Sequence, residues 1–157
     1  MAKPAKPYVI LMVDDDAEDC LLVRDALQEI RLEHDLRFVR DGEELFDYLY
    51  QRGEYENKRM APRPDMILLD LKMPKMDGRE VLRAMKSNPQ FRRIPVVALT
   101  TSMSEDDVAF SYDMGVNSYI TKPVTFRALV DIMTVLSKYW FEVVELPPRE
   151  LRWKINE

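Results

Sequence analysis

Apolar residues fall along this chain in two rhythms. Short unbroken runs, such as Tyr8–Val13, Met66–Leu69 and Pro95–Thr100, alternate with longer stretches where apolar positions recur every three or four residues. The runs read as buried strands and the stretches as amphipathic helices. The first strand is Tyr8–Val13, and Leu22, Val23, Ala26, Leu27 and Ile30 then share one face of a first helix. Leu36–Val39 is a short second strand, and Asp41-Gly42 turns the chain into a second helix, Glu43–Tyr50, with Leu45, Phe46 and Leu49 inward. The polar stretch Arg52–Pro64 reads as a long surface loop. Met66–Asp70 is the third strand, and a loop through Asp77-Gly78 leads to a third helix carrying Val81, Leu82 and Met85. Pro95–Thr100, Glu105–Met114 and Ser118–Thr121 are the fourth strand, fourth helix and fifth strand, with Gly115 suited to a left-handed helix cap. A fifth helix runs from Phe126 to about Val143, before Pro147-Pro148 and a short charged tail with Trp153.

Five strand-helix units predict an α/β fold: a doubly wound parallel sheet with helices on both faces. The expected organisation is a tail over 1–7, one domain over 8–143 and an extension over 144–157. Ligands of such sheets bind beyond the carboxyl ends of the strands. Asp14, Asp15, Asp70, Thr100 and Lys122 all fall at those ends.

Composition narrows the classes. The chain has 157 residues, 46% hydrophobic and 32% charged, with a formal net charge of -5, which suits one soluble domain. Basic residues are scattered among acidic ones, so no nucleic-acid stripe is expected. No apolar stretch approaches the roughly 20 residues of a membrane span, and the start lacks a signal peptide's apolar core. Cys20 is the only cysteine, which fits a reducing cytoplasm. It reads as a small apolar helix residue. His34, the only histidine, reads as a surface residue in a helix-to-strand loop.

The rim residues carry the chemistry. Three carboxylates gathered at one edge repel one another and call for a cation, and hard oxygen ligands favour magnesium, with manganese as an alternative. Asp70 is placed to attack a phosphoryl group, while Lys122 and the cation neutralise its charge. The Thr100 hydroxyl can bond a phosphoryl oxygen, whereas the neighbouring Thr101 could equally be a satisfied strand-end hydroxyl. Taken singly, Asp70 could instead cap a loop and Lys122 could form a plain salt bridge. The product would be an aspartyl phosphate, whose added charge can bias a two-state element.

The chain resembles the receiver domain of two-component response regulators. The resemblance rests on Val13-Asp14-Asp15, Leu69-Asp70-Leu71-Lys72-Met73-Pro74 with Asp77-Gly78, Leu99-Thr100, and Tyr119-Ile120-Thr121-Lys122-Pro123, and it covers about Tyr8 to Ser137. It implies a flavodoxin-like (βα)5 fold with strand order 2-1-3-4-5. It further implies that Asp70 accepts a phosphoryl group from a sensor histidine kinase. Magnesium would sit on the side chains of Asp15 and Asp70 and the backbone carbonyl of Lys72, with Asp14 acting through water. Lys122 and Thr100 would contact the phosphoryl group, and Tyr119 would be the aromatic that turns inward on activation. A cis bond at Lys122-Pro123 is implied by the family alone. Asp16 matches no essential family position and suits a cap for the first helix.

A narrower likeness lies in the long loop, in Leu99-Thr100-Thr101-Ser102 and in Lys138-Tyr139-Trp140-Phe141-Glu142-Val143-Val144. These look like the small regulators paired with bacterial phytochromes. Thr101 stands where many receivers have a smaller residue and could narrow the approach to Asp70. Lys72 and Ser102 flank the implied path of hydrolytic water. A charged Lys72 cannot accept a proton, so a slowly hydrolysing phosphorylated state is expected. The stretch after the fifth helix is too short for a DNA-binding module, so output is expected through protein contact. Trp140 and Phe141 mark a candidate homodimer or partner surface on the fifth helix and its extension. The chain would assist its own phosphorylation and dephosphorylation without being an ordinary enzyme. The alternatives are a degenerate receiver that binds partners without phosphorylation, and an aspartyl-phosphate hydrolase of the haloacid dehalogenase type. The hydrolase would need an acid at the position of Lys72. A flavodoxin is disfavoured because carboxylates after the first strand would repel the flavin phosphate.

Overall fold

A computed structural model describes residues 7–148 apart from 74. Five parallel strands form its centre: β1 (Val9–Val13), β2 (Asp35–Val39), β3 (Met66–Leu69), β4 (Val96–Thr100) and β5 (Ser118–Thr121), in the order β2-β1-β3-β4-β5. The helices between and after them are α1 (Ala17–Glu29), α2 (Gly42–Tyr50), α3 (Gly78–Lys86), α4 (Glu105–Asp113) and α5 (Phe126–Lys138). This is the flavodoxin-like order that the resemblance implies. Among the described residues, no helix is long and apolar enough to cross a membrane.

Two cores explain the unbroken apolar strands, because each central strand feeds both faces. Ile10 and Met12 of β1, Met66 and Leu68 of β3, and Val97 and Leu99 of β4 pack under α1 and α5. Leu11, Val13, Ile67, Leu69, Val96 and Ala98 pack on the other face with Leu45, Leu49, Val81, Leu82 and Met85 of α2 and α3. Register then decides where the acids go. Val13 lies opposite Leu69, and the Asp70 amide donates to the Val13 carbonyl at 3.0 Å. Asp14 and Asp70 therefore leave adjacent strands at the same level.

Several local expectations are corrected. Leu22 is 42% exposed, because the inward stripe of α1 runs through Cys20, Val23, Ala26 and Leu27. With about 100° between successive residues, Leu22 falls outside a stripe centred on Val23. The 52–64 loop is not wholly superficial. It carries two short 3-10 turns, Gly53–Tyr55 and Lys58–Met60, and it buries Ala61. The Tyr48 hydroxyl donates to the Pro62 carbonyl and pins the loop's end. Gly115, at φ +92°, takes the expected left-handed cap.

The fifth helix is also not uniform. After Lys138 it widens into a π-helical turn, Tyr139–Val143, in which the Val144 amide reaches the Tyr139 carbonyl five residues back. It ends at Val143, before the prolines. Phe141 is 3% exposed and stacks on Tyr8 with centroids 4.4 Å apart, which removes it as an exposed partner contact. Trp140 is half-buried. His34 is not a simple surface residue: its ring lies 4.6 Å from that of Phe141, and its Nδ1 is buried without a hydrogen bond. Trp153 lies outside the described residues.

Candidate phosphoryl-acceptor site

At the carboxyl ends of β1 and β3, one carboxylate oxygen from each of Asp14, Asp15 and Asp70 lies within 4.8 Å of the others. Asp14 is 1% and Asp70 7% exposed, while Asp15 faces solvent. Asp14 is fixed by accepting from the Asp16 amide at 2.9 Å, and Asp70 accepts from the Lys72 amide at 3.2 Å. Burial pushes the Asp14 carboxyl up to about 6, and the Asp70 charge adds to that while Lys122 and the Asp16 amide oppose it. A divalent cation among these oxygens would offset the same penalty.

Lys122 follows β5, and its amide donates to the Thr100 carbonyl at 2.7 Å. Its ammonium donates to Asp14 Oδ2 at 2.7 Å, Asp19 Oδ2 at 2.6 Å and Asp70 Oδ2 at 3.4 Å. Burial alone would lower its pKa. The hydrogen bonds to Asp14 and Asp19, with the charges of Asp14 and Asp70, outweigh that and raise it, so the group stays protonated. Three carboxylates thus meet one ammonium, and Asp15 lies beside two of them, which leaves the site negative and suited to a cation.

The reach of Lys122 needs no cis bond. Among the described residues every peptide bond is trans, including Lys122–Pro123, which corrects the family-based expectation. The trans form is favoured by about 0.5–1 kcal/mol before proline, and here Lys122 already meets the acids from it.

Thr100 ends β4 fully buried, and its Oγ1 has no hydrogen-bond partner. A buried hydroxyl without a partner is costly, and an incoming phosphoryl oxygen would satisfy it. Thr101 is exposed, whereas the buried Ser102 hydroxyl donates to Asp107 at 2.6 Å. Tyr119 is half-buried, and its hydroxyl donates to the Ser102 carbonyl at 2.9 Å. Lys72 is exposed and lines an open cleft of about 420 Å³ with Asp15, Asp77, Arg79 and Asp107. Trp140 and Phe141 lie in the turn beyond α5, and the Phe141 stack with Tyr8, just before β1, sets Phe141 at the amino ends of the strands, away from the acids.

The loop after Asp70 is held by close contact. The Gly78 amide donates to the Leu71 carbonyl at 2.9 Å, and a Cβ on Gly78 would lie 2.4 Å from Leu71 Cα. Only glycine lets α3 start this close to the acceptor strand. Asp77 caps α3 by accepting from the Arg79 and Glu80 amides.

Sequence reasoning missed Asp19. A faint signal was present, since Asp19 stands three residues after the helix cap Asp16, where a capping box carries an acid. The box's return bond is not available, because the Asp16 amide already donates to Asp14. The Asp19 carboxylate turns to Lys122 instead. Behind it Cys20 is buried, with Sγ 3.8 Å from the Asp14 carbonyl, and its thiol is pushed up to about 12 by burial and by the charges of Asp14 and Asp19.

Known proteins match this arrangement. A protein-family model described as the response regulator receiver domain matches residues 10–134. Response regulator Rcp1 of Synechocystis sp. is 48% identical over 141 residues, covering 90% of this chain and 94% of its own. Among solved structures, the phosphorylated cyanobacterial phytochrome response regulator RcpA superposes with a TM-score of 0.83 at 45% identity, over 91% of this chain and all of its own. The Mn(2+)-bound form of Rcp1 superposes at 0.81 with 47% identity, over 90% of this chain and all of its own.

Proposed function

Because this chain belongs to the response regulator receiver domain family, we propose that Asp70 accepts a phosphoryl group from a sensor histidine kinase and that the chain signals through a changed protein contact. One observation carries the reading: the partnerless Thr100 hydroxyl is buried at the rim where Asp70 meets Lys122. In the transfer, an Asp70 oxygen bonds to phosphorus as the donor's bond to phosphorus breaks, and the donor keeps that electron pair. Lys122 and Thr100 donate to the phosphoryl oxygens. The side chains of Asp15 and Asp70 with the Lys72 carbonyl would hold magnesium, or manganese in its place, and Asp14 would act through water. The cation supplies charge neutralisation at the transferring oxygens. Tyr119 exchanges its bond to the Ser102 carbonyl for an inward position as the 101–104 loop shifts.

The likeness to RcpA, a phytochrome response regulator, supports a phytochrome-type kinase as the donor, and the one free, buried cysteine is in keeping with a reducing cytoplasm. The chain assists its own phosphorylation and dephosphorylation and turns over no free substrate. Lys72 at the cleft wall supplies no base for water, and Ser102 is engaged by Asp107, which supports a long-lived phosphorylated state.

The test is intact mass after incubation with acetyl phosphate and magnesium, beside Asp70→Asn. We expect a gain of one phosphoryl group, about 80 Da, in the parent only. After donor removal, Lys72→Asn should lose the group faster than the parent. No gain from acetyl phosphate or from a histidine-kinase donor would point to a binding module that works without phosphorylation.

A further inference from the structure

We propose that Asp19 is a positioning residue: it holds the Lys122 ammonium in a waiting place beside Asp70 and releases it when Asp70 is phosphorylated. The inference rests on the phosphoryl-acceptor reading and extends it to a residue that takes no part in binding the phosphoryl group.

A lysine ammonium has three protons to donate. Two make short bonds, at 2.6 Å to Asp19 and 2.7 Å to Asp14, and the contact to Asp70 is the long one at 3.4 Å. The residue that must meet the phosphoryl group is thus held mainly by two other acids. A phosphoryl group on Asp70 adds roughly two negative charges and new acceptor oxygens, so the ammonium's best partners change. As the ammonium moves from its long contact with Asp70 towards those oxygens, the two short bonds compete to keep it. Asp14 is 1% exposed, and water could not replace the hydrogen bond it would lose. Asp19 is 30% exposed and recovers water at little cost. Asp19 is therefore the partner that lets go.

The carboxylate is also free for this task. The Asp19 backbone amide is capped by Asp16 Oδ1, which leaves the α1 terminus intact whatever the side chain does. The one amide its carboxylate could have capped in return, that of Asp16, is committed to Asp14. The side chain thus serves Lys122 rather than the helix end. By stabilising the unphosphorylated arrangement, Asp19 sets the balance between the two states.

The experiment is a double-mutant cycle read by intact mass with acetyl phosphate and magnesium, using the parent, Asp19→Asn, Asp19→Glu, Lys122→Arg and Asp19→Asn with Lys122→Arg. Asp19→Asn should raise the steady-state ratio of phosphorylated to free chain by roughly two- to fivefold. Asp19→Glu, which keeps the charge, should return towards the parent. Because the guanidinium fork cannot take the same waiting geometry, the effect of Asp19→Asn should shrink or vanish with Lys122→Arg. A second readout is the Lys122 ammonium signal in nitrogen-15 NMR of the unphosphorylated chain, with its protons protected in the parent and exposed in Asp19→Asn. A residue that merely supports α1 would change the thermal midpoint equally in both backgrounds and leave the ratio and the ammonium signal alone. That outcome, or an unchanged ratio in a folded Asp19→Asn, overturns the proposal. A parent that gains no phosphoryl group would instead overturn the acceptor reading itself.

Discussion

His34 shows how one residue's surroundings reverse its reading. Burial against Tyr8 and Phe141 lowers its pKa from the ordinary 6.5, and the charges of Asp65 and Glu142 only partly oppose that. The unfolded chain takes up a proton near 6.5 while the folded chain resists, so acidification through that value destabilises the fold. Asp14 runs the other way. Its carboxyl is raised towards 6, so the fold holds that proton more tightly and gains stability as pH falls through the same window. The two effects overlap, and a single profile would hide both. Chemical denaturation of the parent and of His34→Phe, from about pH 7.5 to about pH 5.5, separates them. The parent should lose more stability on acidification than the variant; parallel profiles would show that His34 titrates normally. The contrast explains which residues were legible. Asp14, Asp15, Asp70, Thr100 and Lys122 were placed by strand ends, a one-dimensional signal. His34 and Asp19 take their roles from residues 107 and 103 positions away, and no local pattern carries that.

At the scale of elements, period and punctuation predicted all five strands and five helices, because the three central strands are buried apolar runs and each helix has a polar cap. They did not predict the π-helical turn after α5. That turn is a tertiary effect: one extra residue in the spiral carries Phe141 onto Tyr8 and His34, where a regular helix would aim it elsewhere. Nothing in Tyr139–Val143 itself demands the widening. Replacing Phe141 with Ala should therefore cost about 3 kcal/mol by chemical denaturation, at the low end for a buried phenylalanine because the cluster sits at the fold's edge. The near-ultraviolet circular dichroism of Tyr8 and Trp140 should weaken with it. A loss below about 1 kcal/mol would mean that the stack follows the turn rather than holding it.

Across the whole molecule, the same turn sorts the aromatic surface. With Phe141 inward, the exposed apolar positions of this region are Val135, Tyr139 and Val143, spaced four apart on one side of α5 and its turn. A homodimer through α5 and its extension would use that stripe rather than Phe141. Sedimentation at tens of micromolar should show dimers of the parent and monomers of Val135→Asp with Tyr139→Asp. Monomeric parent both before and after phosphorylation would rule the interface out. The sheet order was legible from the family pattern, yet the pairing of the two cores came only from register, which sets alternate strand residues on opposite faces. One buried atom gathers these scales together. The Cys20 sulfur is hidden beneath α1 against the carbonyl of Asp14, and its proton is held too firmly for it to react while covered. The molecule thus carries its own concealed stopwatch. An alkylating reagent can mark that sulfur only in the moments when α1 lifts from the sheet, so the pace of marking times the breathing of the strand end that bears the acids.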